Sequence, residues 1–363
     1  MKEKCNILLA IGCSKIGGAQ KVFATLAKQL SYQGYNVTVF LPEGPLAQML
    51  RQDNISTTVI KFKSLQGIRT ISGLLKTNKF DIINTHLTNC SFLIALINIF
   101  YRKKLCCSLH NAIIHEGLNR IQRLIYPFIY FFIYKFSDGI IVNSESNKQH
   151  FRDVAHISAH HIRVIYNGID VSEYIIEENV LKDNGGKFQI GYIGRLSIEK
   201  GVIYLIEALS HIDDIDYECV IIGEGPLRYE LEDIVVSKGL KSRVKFLGFQ
   251  QNVTPFFSEM DVFVLPSLNE VLPITIIEAF AHKVITIASE VGGVPDLITH
   301  GKTGLLFLAK DTDNLLENIN FVYRNIGEKQ KMVDNAYEKF IQSFSSDVMI
   351  REISKYFDFI IAK

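Results

Sequence analysis

No CxxC pair and no evident disulfide framework link the six cysteines, at positions 5, 13, 90, 106, 107 and 219. Reduced thiols in a cytosolic setting are the expectation. No apolar run approaches the ~20 residues that a bilayer-crossing helix needs. The nearest, "FLIALINIFY" (92–101) and "LIYPFIYFFIY" (124–134), are too short, and the second contains Pro127. Both read first as core helices, with a membrane-surface role as the second reading for 124–134, which Arg120, Arg123 and Lys135 flank. GxGxxG is absent, which disfavours a dinucleotide oxidoreductase. "GKTG" (301–304) is no P-loop either, because Asp296 stands where the first glycine would have to be. Low-complexity tracts and short-period repeats are also missing. The opening "MKEKCNILLAIGCS" lacks secretory architecture and reads as a first buried strand.

Net charge is nearly absent too, at +1, but that value conceals an asymmetry. Residues 1–170 carry 20 Lys and Arg against 9 Asp and Glu, or +11, and the remainder carries −10. The basic front half should be drawn to something anionic, unless it serves only solubility. At 363 residues, with 48% hydrophobic and 21% charged content, the chain suits two packed domains.

What is present, repeatedly, is a short apolar run that ends at a glycine or polar turn and is followed by an amphipathic stretch. "NILLAIG", "NVTVFLP", "DIINTH", "KLCCSLHN" and "GIIVNS" form one series. After a polar break near 176–187, "FQIGYIG", "YECVIIG", "VKFLG", "DVFVLPS" and "VITIAS" form another. This alternation predicts two successive parallel α/β domains, at 1–170 and 171–345, with an amphipathic helix over 346–363. Ligands of such sheets sit outside the carboxyl ends of the strands, where the unusual residues of this chain cluster.

"NEVLPITIIEA" (269–279) places Glu270 and Glu278 at either end of an apolar run. An unpaired buried carboxylate costs several kcal/mol, so both acids must face water or a ligand. Pro273 is placed like the first residue of a helix, whose free N–H groups and dipole favour an anion. A ligand with hydroxyls on both sides of a diphosphate, as in a nucleotide sugar, would satisfy both acids. In "GYIGRLSIEKG" (191–201), Arg195 and Lys200 lie in a loop that feeds a helix, a setting suited to a phosphate or an ordinary cationic surface. "SKIGGAQ" (14–20) offers a second glycine pair between strand and helix. His86 and His110 both follow strand-like runs, where a lone histidine is usually a packing or turn residue. His156, His160 and His161 have metal-like spacing without an acid or cysteine nearby, and read as solvent-facing.

Together, "GGAQ", "SLHN", "VNSES", "YNGID", "GYIGRLSIEKG", "IIGEGPLRYELE", "VKFLGF", "VFVLPSLNEVLPITIIEA" and "GGVPDLITHGKTGLLF" resemble the family 4 retaining glycosyltransferases of GT-B fold. The resemblance spans nearly the whole chain and is strongest over 165–307. It implies two Rossmann-like doubly wound domains facing across a cleft, with the C-terminal helix crossing back to the first. It also implies that Arg195 and Lys200 neutralise the donor diphosphate in the loop that begins at Gly194, while Glu278 holds the ribose and Glu270 contacts the transferred sugar. Leu272, Pro273 and Ile274 would line the same pocket, Gly17 and Gly18 would approach the donor phosphate, and His110 would reach the sugar. Phe249 falls where the family's base pocket lies. The family usually has glycine where Val271 stands, which implies an altered donor fit with activity kept.

The activity so implied is metal-independent transfer from a nucleotide sugar, UDP-linked by preference, with no cofactor and no nucleic-acid partner. The basic first domain points to a glycan or polyprenyl-diphosphate-linked acceptor of bacterial capsule, O-antigen or exopolysaccharide assembly. The expectation is a cytoplasmic protein for which peripheral association with the anionic inner face of the cell membrane is the second reading. Two other readings of the same fold are a nucleotide-sugar epimerase and a non-catalytic binding subunit.

Overall fold

The structure is a computed structural model that describes residues 5–110, 120–155, 161–170 and 186–363. His156, His160 and most of the polar break at 176–187 lie outside the described residues. The chain divides into two compact units, Met1–Ile169 with Ser346–Lys363, and Asp170–Ser345.

The first unit carries strands β1 (Asn6–Ile11), β2 (Asn36–Leu41), β3 (Ser56–Val59), β4 (Ile82–His86), β5 (Leu105–Leu109), β6 (Gly139–Val142) and β7 (Ile162–Val164). Helices α1 (Gly18–Tyr32), α2 (Pro45–Gln52), α3 (Leu65–Thr77), α4 (Thr88–Asn98), α5 (Arg120–Phe136) and α6 (Glu145–Ala155) alternate with them. All strand pairs are parallel, in the order β3-β2-β1-β4-β5-β6-β7. The second unit holds β8 (Phe188–Ile193), α7 (Val202–Leu209), β9 (Tyr217–Ile222), α8 (Arg228–Ser237), β10 (Val244–Gly248), α9 (Thr254–Glu259) and β11 (Val262–Leu265). It continues through α10 (Ile274–Ala281), β12 (Ile285–Ser289), α11 (Val294–Leu297), β13 (Leu305–Phe307), α12 (Thr312–Arg324) and α13 (Ile326–Ser343). Its parallel sheet runs β10-β9-β8-β11-β12-β13.

Both sheets thus reverse direction once, between β1 and β4 and between β8 and β11. Those are the switch points where open parallel sheets bind ligands. Strands covered on both faces need apolar residues at every position rather than alternating ones. β5, β6, β11 and β12 are accordingly buried along their whole lengths. β4, "IINTH", is equally buried yet carries three polar residues, so those must find partners inside the sheet.

The last helix, α14 (Ser346–Ala362), belongs to the first unit and buries Met349, Ile350, Ile353, Tyr356, Phe357 and Ile360. Its Tyr356 hydroxyl donates to the His161 carbonyl at 2.9 Å. Of the two apolar stretches expected to form core helices, the first does so: α4 buries Cys90, Ile94, Ala95 and Ile97. The second does so on one face only. α5 buries Tyr130 and Ile133 and packs Tyr126, Ile129, Phe132 and Tyr134 against the same core, while Ile121, Leu124, Ile125, Phe128 and Phe131 are exposed. Its apolar residues cover more of the helix circumference than one core can take, so a stripe is left outside. Among the described residues no helix is long and apolar enough to cross a membrane.

Candidate functional site

In the second unit the site forms where β8 and β11 end side by side. β8 runs out through Gly194 and Arg195 into a short 3-10 turn, Ile198–Lys200. Gly201 closes that turn at φ +61°, and a Cβ there would lie 2.1 Å from the Pro266 carbonyl oxygen. Only glycine allows both the left-handed torsion and this approach to the end of β11. The Leu268 amide then donates to the Glu199 carbonyl at 2.8 Å, tying the two loops together.

The consequence is a contact across 70 residues of sequence: Lys200 Nζ donates to Glu270 Oε1 at 2.5 Å. The Ser267 hydroxyl donates to the same oxygen at 2.7 Å. Ser289, at the end of β12, donates to the Ser267 carbonyl and so holds that loop. Gly292 packs against the Glu270 backbone, where a Cβ would sit 1.6 Å from the carbonyl oxygen, at φ +51°. Sequence reasoning missed Ser267 and Ser289 because a small hydroxyl in a loop has no periodic signature. "PSLNE" read as a unit, with Ser267 three residues before the acid, was the available signal.

Both acids of the E-x7-E pair are buried, Glu270 at 8% exposure and Glu278 at 2%. Neither faces bulk water, and Glu278 has a partner of its own. Glu278 lies on the second turn of α10, which begins at Ile274. Pro273 flanks the helix with extended ψ of 114° instead of forming its first residue. The helix therefore starts one position later than the proline pattern indicates. Leu272 and Pro273 are buried and Ile274 is half-buried at this helix start. Val271 adopts no positive φ, so its side chain adds bulk here without backbone strain.

The remaining candidates are less enclosed. Arg195 is exposed, 3.8 Å from Glu199, and does not join the Lys200–Glu270 pair. Its backbone carbonyl instead accepts from the Tyr192 hydroxyl at 2.9 Å. Burial, and then the negative charges of Glu270 and Glu199, push that phenol well above its ordinary range. Phe249 is exposed just beyond β10, the edge strand of the sheet.

In the first unit, exposed Gly17 and Gly18 lie at the start of α1, after β1. Gly17 is extended at φ −162°, a torsion open to any residue. His110 follows β5, and its Nε2 lies 2.8 Å from Nδ1 of His86, the last residue of β4. The rings stack at 5.0 Å. Burial lowers the His110 pKa to about 4. His86 lies well below 6.5, through burial first and the neighbouring His110 second. Among the described residues, no three His, Cys, Asp or Glu side chains are grouped to hold a metal ion.

Chemically, the second unit offers a buried carboxylate with one oxygen occupied by two donors, an ammonium, a further cation and a helix start. That combination is chemically suited to a ligand carrying both hydroxyl and anionic groups.

Residues 175–339 match the family described as Glycosyl transferases group 1, and residues 16–173 match Glycosyltransferase Family 4. A UDP-Gal:alpha-D-GlcNAc-diphosphoundecaprenol alpha-1,3-galactosyltransferase of Escherichia coli is 24% identical over 96% of this chain and 95% of its own. The Campylobacter jejuni enzyme named GalNAc-alpha-(1->4)-GalNAc-alpha-(1->3)-diNAcBac-PP-undecaprenol alpha-1,4-N-acetyl-D-galactosaminyltransferase is 25% identical over 92% of this chain and 93% of its own. Among solved structures, Anabaena HepE in complex with UDP superposes with a TM-score of 0.87 at 22% identity, covering 97% of this chain and 99% of that one. The last likeness bears on fold alone: two parallel-sheet domains of GT-B type.

Proposed function

The chain belongs to the group 1, family 4 glycosyltransferases, and from that premise we propose a retaining transfer of a sugar from a UDP-linked donor to a lipid-linked glycan acceptor. The acceptor is assigned to bacterial surface polysaccharide synthesis; its lipid-linked character is supported by the names of the Escherichia coli and Campylobacter jejuni relatives, which give undecaprenol-linked sugars as the substrates of those enzymes. The observation that carries the reading is the part-buried Lys200–Glu270 pair at the β8/β11 switch point.

In this reading Lys200, Arg195 and the start of α10 meet the negative charge that develops on the leaving diphosphate. The bond between the anomeric carbon and the phosphate oxygen breaks, with its electron pair passing to that oxygen. The acceptor hydroxyl oxygen bonds the anomeric carbon from the same face and gives its proton to the departing phosphate. Glu270 holds a sugar hydroxyl and Glu278 the ribose, so neither serves as a glycosidase-type nucleophile. Gly194, Leu272, Pro273 and Ile274 line the donor pocket, and Phe249 lies by the base. Gly17, Gly18 and His110 are further donor contacts. With this cationic set no divalent metal is required.

Membrane attachment belongs to the same proposal. Its support is the exposed stripe Ile121, Leu124, Ile125, Phe128 and Phe131 on α5, with exposed Arg120, Arg123 and Lys135 beside it. An apolar face with a basic border fits an anionic bilayer surface.

UDP release from UDP-galactose, UDP-glucose and UDP-N-acetylglucosamine, with and without bacterial lipid extract, tests the activity. Release that depends on the extract is expected. Release without any acceptor, accompanied by an epimerised sugar, would favour the epimerase reading instead.

A further inference from the structure

We infer that His86 and Asn84 are positioning residues that hold His110 in one neutral tautomer, with its bare Nδ1 kept as an acceptor for a ligand hydroxyl. The inference deepens the proposed function and rests on the assignment of His110 to the donor sugar. It starts from Asn84, fully buried in β4. The Asn84 amide nitrogen donates to the Cys106 carbonyl at 3.2 Å and lies 2.9 Å from the Ser108 hydroxyl oxygen. A flipped amide would set two acceptors against each other at Cys106, so Oδ1 is the atom that faces His86.

The rest follows by donor and acceptor alternation. His86 Nε2 is 2.7 Å from Asn84 Oδ1 and must carry the proton. In neutral His86, Nδ1 is then a lone pair, and the His110 Nε2 facing it at 2.8 Å must be the donor. His110 is left with an unprotonated Nδ1. That atom is buried and has no hydrogen-bond partner among the described residues. A buried polar atom without a partner is rare and marks a place where something else binds.

Packing holds the relay still. Phe23 meets the His86 ring edge-on at 4.8 Å, and the two imidazoles stack. The parallel register sets Asn84 beside Cys106 and His86 beside Ser108. Leu87, directly after His86, is held at φ +70°, a torsion that side chains other than glycine rarely adopt and that concentrates at functional sites. Burial keeps both rings neutral at physiological pH. A neutral Nδ1 accepts a hydrogen bond, so the group it recognises is an O–H of a sugar and not an anionic phosphate oxygen.

The experiment is a long-range proton–nitrogen correlation spectrum of the full chain labelled with nitrogen-15 at histidine. The His110 signals are assigned from a His110→Gln variant. The wild type without ligand should show His110 protonated at Nε2 and bare at Nδ1. His86→Phe keeps the ring contacts but removes the acceptor, and should turn His110 into a mixture of tautomers. His86→Gln presents an amide of the same polarity and should restore the single form. With UDP-galactose and lipid extract, kcat should fall about tenfold in His86→Phe, the loss of roughly one hydrogen bond, and recover partly in His86→Gln. Affinity for UDP, which lacks the sugar, should stay unchanged.

A wild-type His110 protonated at Nδ1, or a His86→Phe spectrum with the native tautomer, overturns the inference. The wild-type spectrum suffices if His86→Phe fails to fold. Absence of wild-type turnover with every nucleotide sugar would instead overturn the functional reading, and leaves the tautomer result standing by itself.

Discussion

Ser267 shows how much a single hydroxyl can set. It and Lys200 both donate to Glu270 Oε1, which leaves Oε2 as the oxygen available to a ligand. Ser267→Ala removes one buried hydrogen bond to a carboxylate, so stability should drop by about 1.5–3 kcal/mol. Turnover should fall further than that loss of folded protein accounts for, as Glu270 loses its second anchor; thermal melting and UDP-release kinetics together check this. Glu278→Ala should weaken UDP binding by about 1.5–3 kcal/mol if the carboxylate holds the ribose, as for other hydrogen bonds to charged groups. Calorimetry on the folded variant decides, and unchanged affinity would remove the ribose role. The buried His86 and the partly buried His110 also set a pH dependence. His110 is depressed to about 4, below its ordinary 6.5, so the unfolded chain binds more protons between those values. Stability is therefore full above about pH 6.5 and declines as the pH falls toward 4. Denaturant unfolding across that range should show the decline, and His110→Gln should make it shallower, leaving the part that His86 contributes.

At the scale of elements, α5 carries the prediction that its sequence least revealed. Leu124 and Phe128 are 80% and 63% exposed, so replacing both with serine should leave the fold intact. Each would lose up to about 1.5–3 kcal/mol of apolar burial in a lipid surface, enough to cut vesicle binding by tenfold or more. Arg120→Ser, Arg123→Ser and Lys135→Ser together should reduce binding to anionic vesicles and make it less sensitive to salt. Co-sedimentation across a salt series measures both. Indifference to vesicle charge would turn the search toward a soluble acceptor. Apolar density alone read α5 as core, because aromatic residues on both sides of a helix look the same whether or not a second surface covers them. Other elements were legible for equally physical reasons. Short, nearly continuous apolar runs such as "VFVL" and "ITIAS", bounded by turn residues, suit strands covered on both faces, and both became buried parallel strands. The E-x7-E pair stood out because acids bounding an apolar run demand an explanation. The Asn84–His86–His110 relay was not legible, since it depends on the β4/β5 register across more than 20 residues, which no local period encodes.

For the whole molecule, two sheets that share one strand order over six strands and a basic front half support one account: sugar donor bound at a strand-end site, and an anionic, lipid-borne acceptor. Because Arg195, Lys200 and the α10 start are assigned the diphosphate charge, turnover should persist in EDTA. Complete loss, restored by magnesium or manganese, would mean that a metal does that work. The central claim is transfer to a lipid-linked acceptor, and mass spectrometry of the lipid fraction tests it most directly. Full-length protein is incubated with each UDP-sugar and bacterial lipid extract. The account predicts one lipid-linked species heavier by a single sugar residue, formed with one donor and absent from the Lys200→Ala control. Nucleotide release with no lipid species gaining mass, from any donor, would contradict it.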